Sequence, residues 1–350
     1  MSSSTIEASF CKAVSKSAIF EAALHIECSY DGCGSRRPSQ SFAYGNKDLD
    51  TAMIAASITK MFTTTCVLIL CEQGQLELGD RLESFFEPDA LKGLHVFEGR
   101  DYSQELTIAQ LLFMTSGLPD YFSNESSGLS KADILAHDRM ISFDDILAAS
   151  KRLSAHFPPD AGKAFYSDVS FDVLGEVLKS VSGQSIDQLF ARLIFEPLAM
   201  GSSYVPVADS FVPHTYSDVG KVTRRLYNIS CPASAGCIST LRDLMTFSKA
   251  FWGGELFDKK WLEDIADYQK IQFGPFYYGG GHMRIHLNEL SDDFDKGEEL
   301  IGHSGSTGSF MYYYPQLGVH IVGDLCQTEA PIAATELVVN VARIIKGEQL

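Results

Sequence analysis

Ala55-Ala56-Ser57-Ile58-Thr59-Lys60, running on through Met61-Phe62-Thr63-Thr64-Thr65-Cys66-Val67-Leu68-Ile69-Leu70-Cys71 to Gly74, organises the rest of the chain. An extended approach meets, at Ser57, an apolar run long enough for about four helical turns. On such a helix Ser57 and Lys60 share one face as neighbours. A serine hydroxyl is a poor nucleophile until a base takes its proton, and a desolvated lysine can assist at neutral pH. The helix N-terminus adds a positive dipole end and free N–H groups where an oxyanion would develop. A second reading stays open on these residues alone: Ser57 caps a core helix and Lys60 snorkels.

At 350 residues the chain forms one large domain or two lobes, with ample material for a core. An apolar content of 45% and a charged content of 21% describe an ordinary globular protein. The net charge of −17 argues against nucleic acid or an anionic membrane as partner, because phosphate surfaces would repel it. Met1-Ser2-Ser3-Ser4-Thr5-Ile6-Glu7 lacks the basic and apolar regions of a secretory signal, and no apolar run reaches membrane-spanning length. The eight cysteines do not suggest a disulfide scaffold, and Cys28/Cys33 and Cys231/Cys237 lack partner pairs at zinc-finger spacing. A reducing compartment, the cytoplasm, is the expectation.

Taken in order, residues 5–17 carry helical spacing in Ile6, Phe10 and Val14. Ala22–Glu27 and Ser41–Tyr44 read as strands joined through Asp31-Gly32-Cys33-Gly34. After the organising helix, Pro88 breaks the pattern, and Leu106–Leu112 opens a short helix with Thr107 as N-cap. Thr115-Ser116-Gly117-Leu118-Pro119 enforces a turn. Helical period covers Ala132–Leu153, Ser170–Val181, Gln184–Glu196 and Leu241–Phe251. Tyr277–Leu287, Glu299–His303, Phe310–Tyr314 and Val319–Asp324 are short, Gly-punctuated and aromatic or β-branched, and predict antiparallel strands. Ala330–Ile345 closes as a helix. The pattern predicts an α/β (α+β) fold, one antiparallel sheet flanked by helices and assembled from both chain ends. Residues 1–80 plus 255–350 form the sheet lobe, and 81–254 a mainly helical insertion.

Three short motifs now fall into line: Ser57-Ile58-Thr59-Lys60, Tyr166-Ser167-Asp168 and His303-Ser304-Gly305. Their order and spacing resemble those of the serine penicillin-recognising family, in the branch with class C β-lactamases, DD-peptidases, D-aminopeptidases and β-lactamase-like esterases. Gly74–Asp80, Leu111–Pro119 and Ala235–Leu244 fit the same family, so the resemblance covers roughly residues 20 to 345. It implies a β-lactamase/transpeptidase-like fold with the active site in the groove between the lobes. It also implies that Ser57 is acylated by a small ester or amide and that water clears the acyl group.

In that scheme Tyr166, near Lys60, accepts and returns the proton, its pKa lowered by the ammonium; as a competing reading, it is a core tyrosine packing the Phe165 loop. The backbone N–H of Ser306, with that of Ser57, forms the oxyanion hole, and Gly305 lets the substrate backbone approach. His303 stands where the lactamases usually carry Lys, a weaker and titratable cation for a substrate carboxylate. Asp168 stands where the family usually has Asn; an ionised Asp can only accept, so it either disfavours penicillin-like acylamides or simply pairs with Lys60. The resemblance therefore favours an esterase or D-amino-acid peptidase/amidase over a β-lactamase or penicillin-binding DD-carboxypeptidase. A non-catalytic, β-lactamase-like binding protein is the alternative from another class.

No metal or cofactor is called for. His282 and His286 share a face of a predicted strand, but no carboxylate or cysteine stands at ligand spacing. Asp120 and Tyr121, after Pro119, either line the cleft or serve the turn. Gly279-Gly280-Gly281 lacks the helix and lysine of a phosphate loop. The expected partner is a small ester, amide or D-amino-acid-containing molecule; oligomeric state is not readable from the sequence.

Overall fold

Alternation along the C-terminal strands sorts side chains onto two faces of one sheet. Phe310, Tyr312 and Ile321 point to one face with Leu24, Ile285 and Leu300, whereas Met311, Val322 and Ala23 point to the other. The computed structural model describes residues 5–29, 39–87 and 89–347. The Asp31–Gly34 connection and Pro88 lie outside the described residues.

Among the described residues eight strands form the main sheet, and every neighbouring pair is antiparallel. From one edge to the other they run Gln40–Tyr44, Ala22–Cys28, Val319–Asp324, Ser309–Tyr314, Glu299–Ser304, Met283–His286, Phe276–Tyr278 and Gln269–Lys270. The pairing of Ala23 with Asp324 and of Ile26 with Ile321 joins the two ends of the chain, as expected from the sequence. The first face is covered by the Ile6–Val14 helix, capped by Thr5, and by the Pro331–Gly347 helix through Leu337, Val338 and Val341.

On the second face lie the organising helix, Thr59–Glu72, and the Leu241–Gly253 helix. The organising helix buries every residue from Thr59 to Leu70, the signature of an element surrounded by protein on all sides. Asp168–Ser182, Ile186–Phe190 and the Ala191–Phe195 π-turn pack around it; Phe62 meets Phe190, Phe195 and Phe247 at ring distances of 5.9, 5.4 and 4.5 Å. A two-stranded ribbon of Met53–Ile54 with Ile238–Ser239 leads the chain into Ser57.

Three boundaries differ from the sequence reading. Ala132–Leu153 is two helices, Lys131–Ala136 and Phe143–Ser150, each started by its own serine capping box at Ser130 and Ser142. Tyr277–Leu287 is a hairpin, because Gly281 adopts φ +79° and any Cβ there would strike the Thr64 hydroxyl. The helix read from Ser170 begins at Asp168, one residue past Ser167. No helix among the described residues is long and apolar enough to cross a membrane. Cys28 is disulfide-bonded, a departure from the reduced set expected of the cysteines; Cys11, Cys66, Cys71, Cys231, Cys237 and Cys326 are free.

Candidate active site

The turn that carries Ser57 is forced. Ala56 sits at φ +47°, a conformation L-residues rarely hold, and the chain passes at once through the Ala56–Ile58 3-10 turn into the Thr59–Glu72 helix. Ser57 remains partly exposed, while Lys60, one turn on, is fully buried. The Lys60 ammonium donates to Ser57 Oγ at 3.1 Å, to Asp168 Oδ1 at 2.6 Å and to the Ser234 carbonyl at 2.8 Å. An ammonium has three N–H donors, and all three are engaged.

Tyr166 and Asp168 arrive on an extended segment that ends in a helix N-terminus. Gln272 clamps the Tyr166 peptide from both sides, accepting from its N–H at 2.8 Å and donating to its carbonyl at 2.9 Å. Ser167 donates to the Pro119 carbonyl, and Asp120 accepts from the Asp168 N–H at 3.0 Å. Asp120 thus serves the Pro119 turn and the start of the Asp168–Ser182 helix rather than lining the cleft.

Lys60 lies 5.0 Å from the centroid of the Tyr166 ring, and the buried Tyr166 hydroxyl has no hydrogen-bond partner of normal geometry. Contrary to the expectation from the sequence, Tyr166 is not made more acidic. Burial pushes its phenol well above the ordinary range and the Asp168 charge adds to this, while the nearby Ser57 hydroxyl opposes it. The ammonium cannot compensate because its charge is already paired with Asp168.

Two further buried carboxylates lie close enough to Asp168 to feel its charge. Asp172, one helical turn beyond Asp168, accepts from Ser234 Oγ at 2.5 Å and from the Tyr121 hydroxyl at 2.9 Å. Burial pushes Asp172 up to about 7, with the Ser234 bond opposing and Asp168's charge adding. Burial, then Asp168's charge, pushes Asp120 up to about 6. Spacing of i and i+4 on the Asp168 helix was the available signal for Asp172; nothing in the sequence singles out Ser234 or Gln272.

The third motif reaches Ser57 along a sheet strand. His303 and Ser304 end the Glu299–Ser304 strand, and the loop beyond is pinned by Ser309 Oγ to the Ala55 carbonyl at 2.9 Å and by Thr307 Oγ1 to the Ile54 carbonyl at 3.1 Å. Gly305 is packed so tightly that a Cβ would meet the Ala55 carbonyl and the Ala56 methyl at 2.8 Å. Ser306 follows and, with Ala56, Phe122, Tyr227 and Thr307, lines a small, mostly apolar cavity.

His303 departs from its expected role as a titratable cation. It is fully buried, and burial followed by the Lys60 charge pushes its imidazole down to about 3. In the neutral ring Nδ1–H donates to the Ser304 carbonyl at 2.8 Å, leaving Nε2 an unpartnered acceptor. His282 and His286 do not meet as ligands: His282 is buried in the hairpin turn against Gly280 and Tyr268, and His286 packs on Tyr277.

Ser57, Lys60, Tyr166, Asp168 and His303 thus stand close together beside a partly exposed hydroxyl, with Gly305 packed on Ala55 and Ala56 and Ser306 following it. The Streptomyces D-stereospecific amidohydrolase superposes with a TM-score of 0.77 at 24% identity, over 95% of this chain and 96% of that one. The Ochrobactrum anthropi SV3 D-amino acid amidase, solved with D-phenylalanine, gives 0.78 at 18% identity, over 97% and 98%. At these identities the likeness is one of fold. In sequence, the chain is 25% identical over 244 residues to the Escherichia coli K12 D-alanyl-D-alanine-carboxypeptidase/endopeptidase AmpH, across 69% of this chain and only 59% of that protein's length. The Beta-lactamase family model matches residues 35–333, and the chain belongs to that family of hydrolases.

Proposed function

We propose that this chain is a serine hydrolase that forms an acyl-enzyme on Ser57 and hydrolyses a small amide or ester, with D-amino-acid amides or peptides as its preferred class. The observation that carries the reading is the partly exposed Ser57 hydroxyl held by Lys60, beside a buried tyrosine hydroxyl with nothing else to bond. Ser57 Oγ attacks the carbonyl carbon, and the negative charge developing on the carbonyl oxygen is met by the backbone N–H groups of Ser57 and Ser306. With all three donors engaged, Lys60 has no lone pair to accept the serine proton. A neutral tyrosine hydroxyl can do so, because it accepts on oxygen while it gives up its own hydrogen. Tyr166 takes the Ser57 proton as its own passes to the leaving nitrogen or oxygen, and water reverses the route to release the acid. No phenolate has to form, which fits a phenol whose ionisation is suppressed.

Charge supports the substrate class. Lys60 spends its charge on Asp168, and neutral His303 offers no cation to a carboxylate, so a substrate without a carboxylate to anchor suits the site better than a penicillin. The amidase and amidohydrolase names among the structural neighbours agree with this. The name of AmpH keeps a DD-carboxypeptidase as the second reading. The deciding experiment incubates the protein and its Ser57→Ala variant with a fluorophosphonate, then with nitrophenyl esters, D-aminoacyl amides and penicillins, and reads adduct mass and turnover. The expected result is one adduct on Ser57, turnover of D-aminoacyl amides or esters, and neither in the variant. Unlabelled wild-type protein, or turnover retained by Ser57→Ala, removes the assignment and leaves a binding protein.

A further inference from the structure

Away from the cleft, three side chains distant in sequence converge on one point. Glu21 stands just ahead of the first sheet strand, His214 precedes the Thr215–Ser217 strand, and Cys326 follows the Val319–Asp324 strand. One ligand atom from each lies within 4.8 Å of the other two. We propose that Glu21, His214 and Cys326 form a zinc site, with three protein ligands and the fourth position left to water. Thiolate, imidazole and carboxylate together are a donor set that suits zinc and its spectroscopic substitute cobalt(II).

The arrangement is built for such an ion in several respects. His214 Nε2 and Glu21 Oε2 are already 3.0 Å apart, somewhat closer than the roughly 3.3 Å between two ligands each about 2.0 Å from a tetrahedral zinc. The Tyr216 hydroxyl donates to the other Glu21 oxygen at 3.3 Å and holds the carboxylate in place. Cys326 takes φ +48°, its N–H donating to Asp324 Oδ1 at 2.9 Å, so the backbone is bent where the thiol joins the cluster. Lys47 pairs with Asp324 and also reaches the Cys326 sulfur, so its ammonium balances the Asp324 charge and would donate to the metal-bound thiolate from outside the ligand set. Access exists: Glu21 and Cys326 are nearly enclosed, but the His214 side chain is 25% exposed.

In the ion-free protein the Cys326 thiol donates to the His214 carbonyl at 3.6 Å, its proton still in place. Zinc binding breaks the Cys326 S–H bond, forms a zinc–sulfur bond and releases one proton to solvent. The ion would tie the two sheet ends to the Thr215–Ser217 strand. It would also stiffen the Leu325–Gln327 segment, whose N–H groups bond Gly308 and Thr307 in the loop beyond Ser306.

The test titrates chelator-treated, full-length protein with cobalt(II), follows the sulfur-to-cobalt charge-transfer band, and repeats the titration in competition with zinc. One equivalent should produce the band, and zinc should abolish it and raise the thermal midpoint. Cys326→Ser should lose the band and weaken zinc binding by at least about tenfold. His214→Ala, at a partly exposed position, does the same job should the serine variant fail to fold. Cys11→Ser, which removes the exposed free thiol, should keep the band. No band in the wild type, or a band that survives in Cys326→Ser or disappears in Cys11→Ser, overturns the proposal and leaves Glu21 and His214 as an ion pair beside an inert thiol.

Discussion

Lys47 and Lys60 are both buried and both paired with an aspartate, yet they sit in differently equipped surroundings. The side chains of Lys47 and Asp324 are 2% and 3% exposed; those of Lys60 and Asp168 are 0% and 7%. Burial alone would make Lys47 less basic, but the Asp324 charge, with help from Cys326, overrides it and raises the lysine. Around Lys47 the partners are a carboxylate and a thiol, and nothing nucleophilic faces a cleft. Around Lys60 they are a carboxylate, a carbonyl and a partly exposed hydroxyl, with a tyrosine ring alongside and two further carboxylates behind. A buried ion pair by itself says little about chemistry. What marks the Lys60 site is the third group the lysine touches, and the excess of carboxylates over cations.

The largest expected effect separates the two lysines by function. Tyr166→Phe should lower turnover of an amide or ester by roughly two to four orders of magnitude, the size of a lost proton-transfer group, and Lys60→Met, which removes the donor that positions Ser57 Oγ, should lower it by at least about a hundredfold. Lys47→Met should instead remove about 3–5 kcal/mol of stability by stranding Asp324, with turnover per folded molecule unchanged. Urea midpoints and active-site-titrated rates for the three variants decide the matter. A Lys47→Met protein as inactive as Lys60→Met would abolish the distinction. A loss below about tenfold in Tyr166→Phe would return that residue to the core-packing role.

A smaller effect concerns the aspartate rather than the lysine. Asp168→Asn keeps the volume, removes the charge and restores one donor. Nitrocefin acylation should rise about tenfold relative to nitrophenyl-ester hydrolysis, the worth of roughly one added hydrogen bond. Because Asp168 pushes the Tyr166 phenol upward, its neutralisation should also move the alkaline limb of the rate profile to lower pH. An unaltered ratio together with an unmoved limb would show that Asp168 only holds Lys60 in place.

Much of this was legible in the sequence, and for identifiable reasons. The short aromatic and β-branched runs Phe310–Tyr314 and Val319–Asp324 and the all-round apolar run after Ser57 are local signals that tertiary packing reinforced, so the sheet and its central helix came out close to the observed bounds. The three motifs met because each is short and lies at a strand end or helix start. The carboxylate surplus was not legible, since Asp120 comes from a turn whose sequence left it open between cleft and turn, and Asp172 from a helix whose face toward Lys60 only the fold defines. Protonation states were least legible. Sequence shows that a histidine is present at 303 and a lysine near Tyr166, but burial is what neutralises the first and raises the second's neighbour.

The smallest effect tests the surplus itself. Asp172 is buried, which pushes its carboxyl up to about 7 from an ordinary value of 3.8. A folded-state pKa raised in this way contributes stability that is complete below pH 3.8 and lost as pH rises through 7. Asp120, at about 6, acts in the same direction over a narrower range. His303 and His282 act oppositely: depressed to about 3 and about 4 from 6.5, they are fully stabilising above pH 6.5 and cost stability as pH falls. Between pH 5 and pH 8, Asp172 alone should therefore cost the wild type on the order of 2 kcal/mol. Asn at this position still bonds both hydroxyls, accepting from one and donating to the other, and has nothing to ionise. Urea midpoints at pH 5 and pH 8 should thus fall less in Asp172→Asn than in the wild type, with turnover near neutrality little changed because Asp172 touches neither Ser57 nor Tyr166. Equal falls in the two proteins would mean that Asp172 is already ionised in the fold at pH 5. The Lys60 site would then hold its carboxylates charged, and the comparison with Lys47 would rest on the Ser57 hydroxyl and the Tyr166 ring alone.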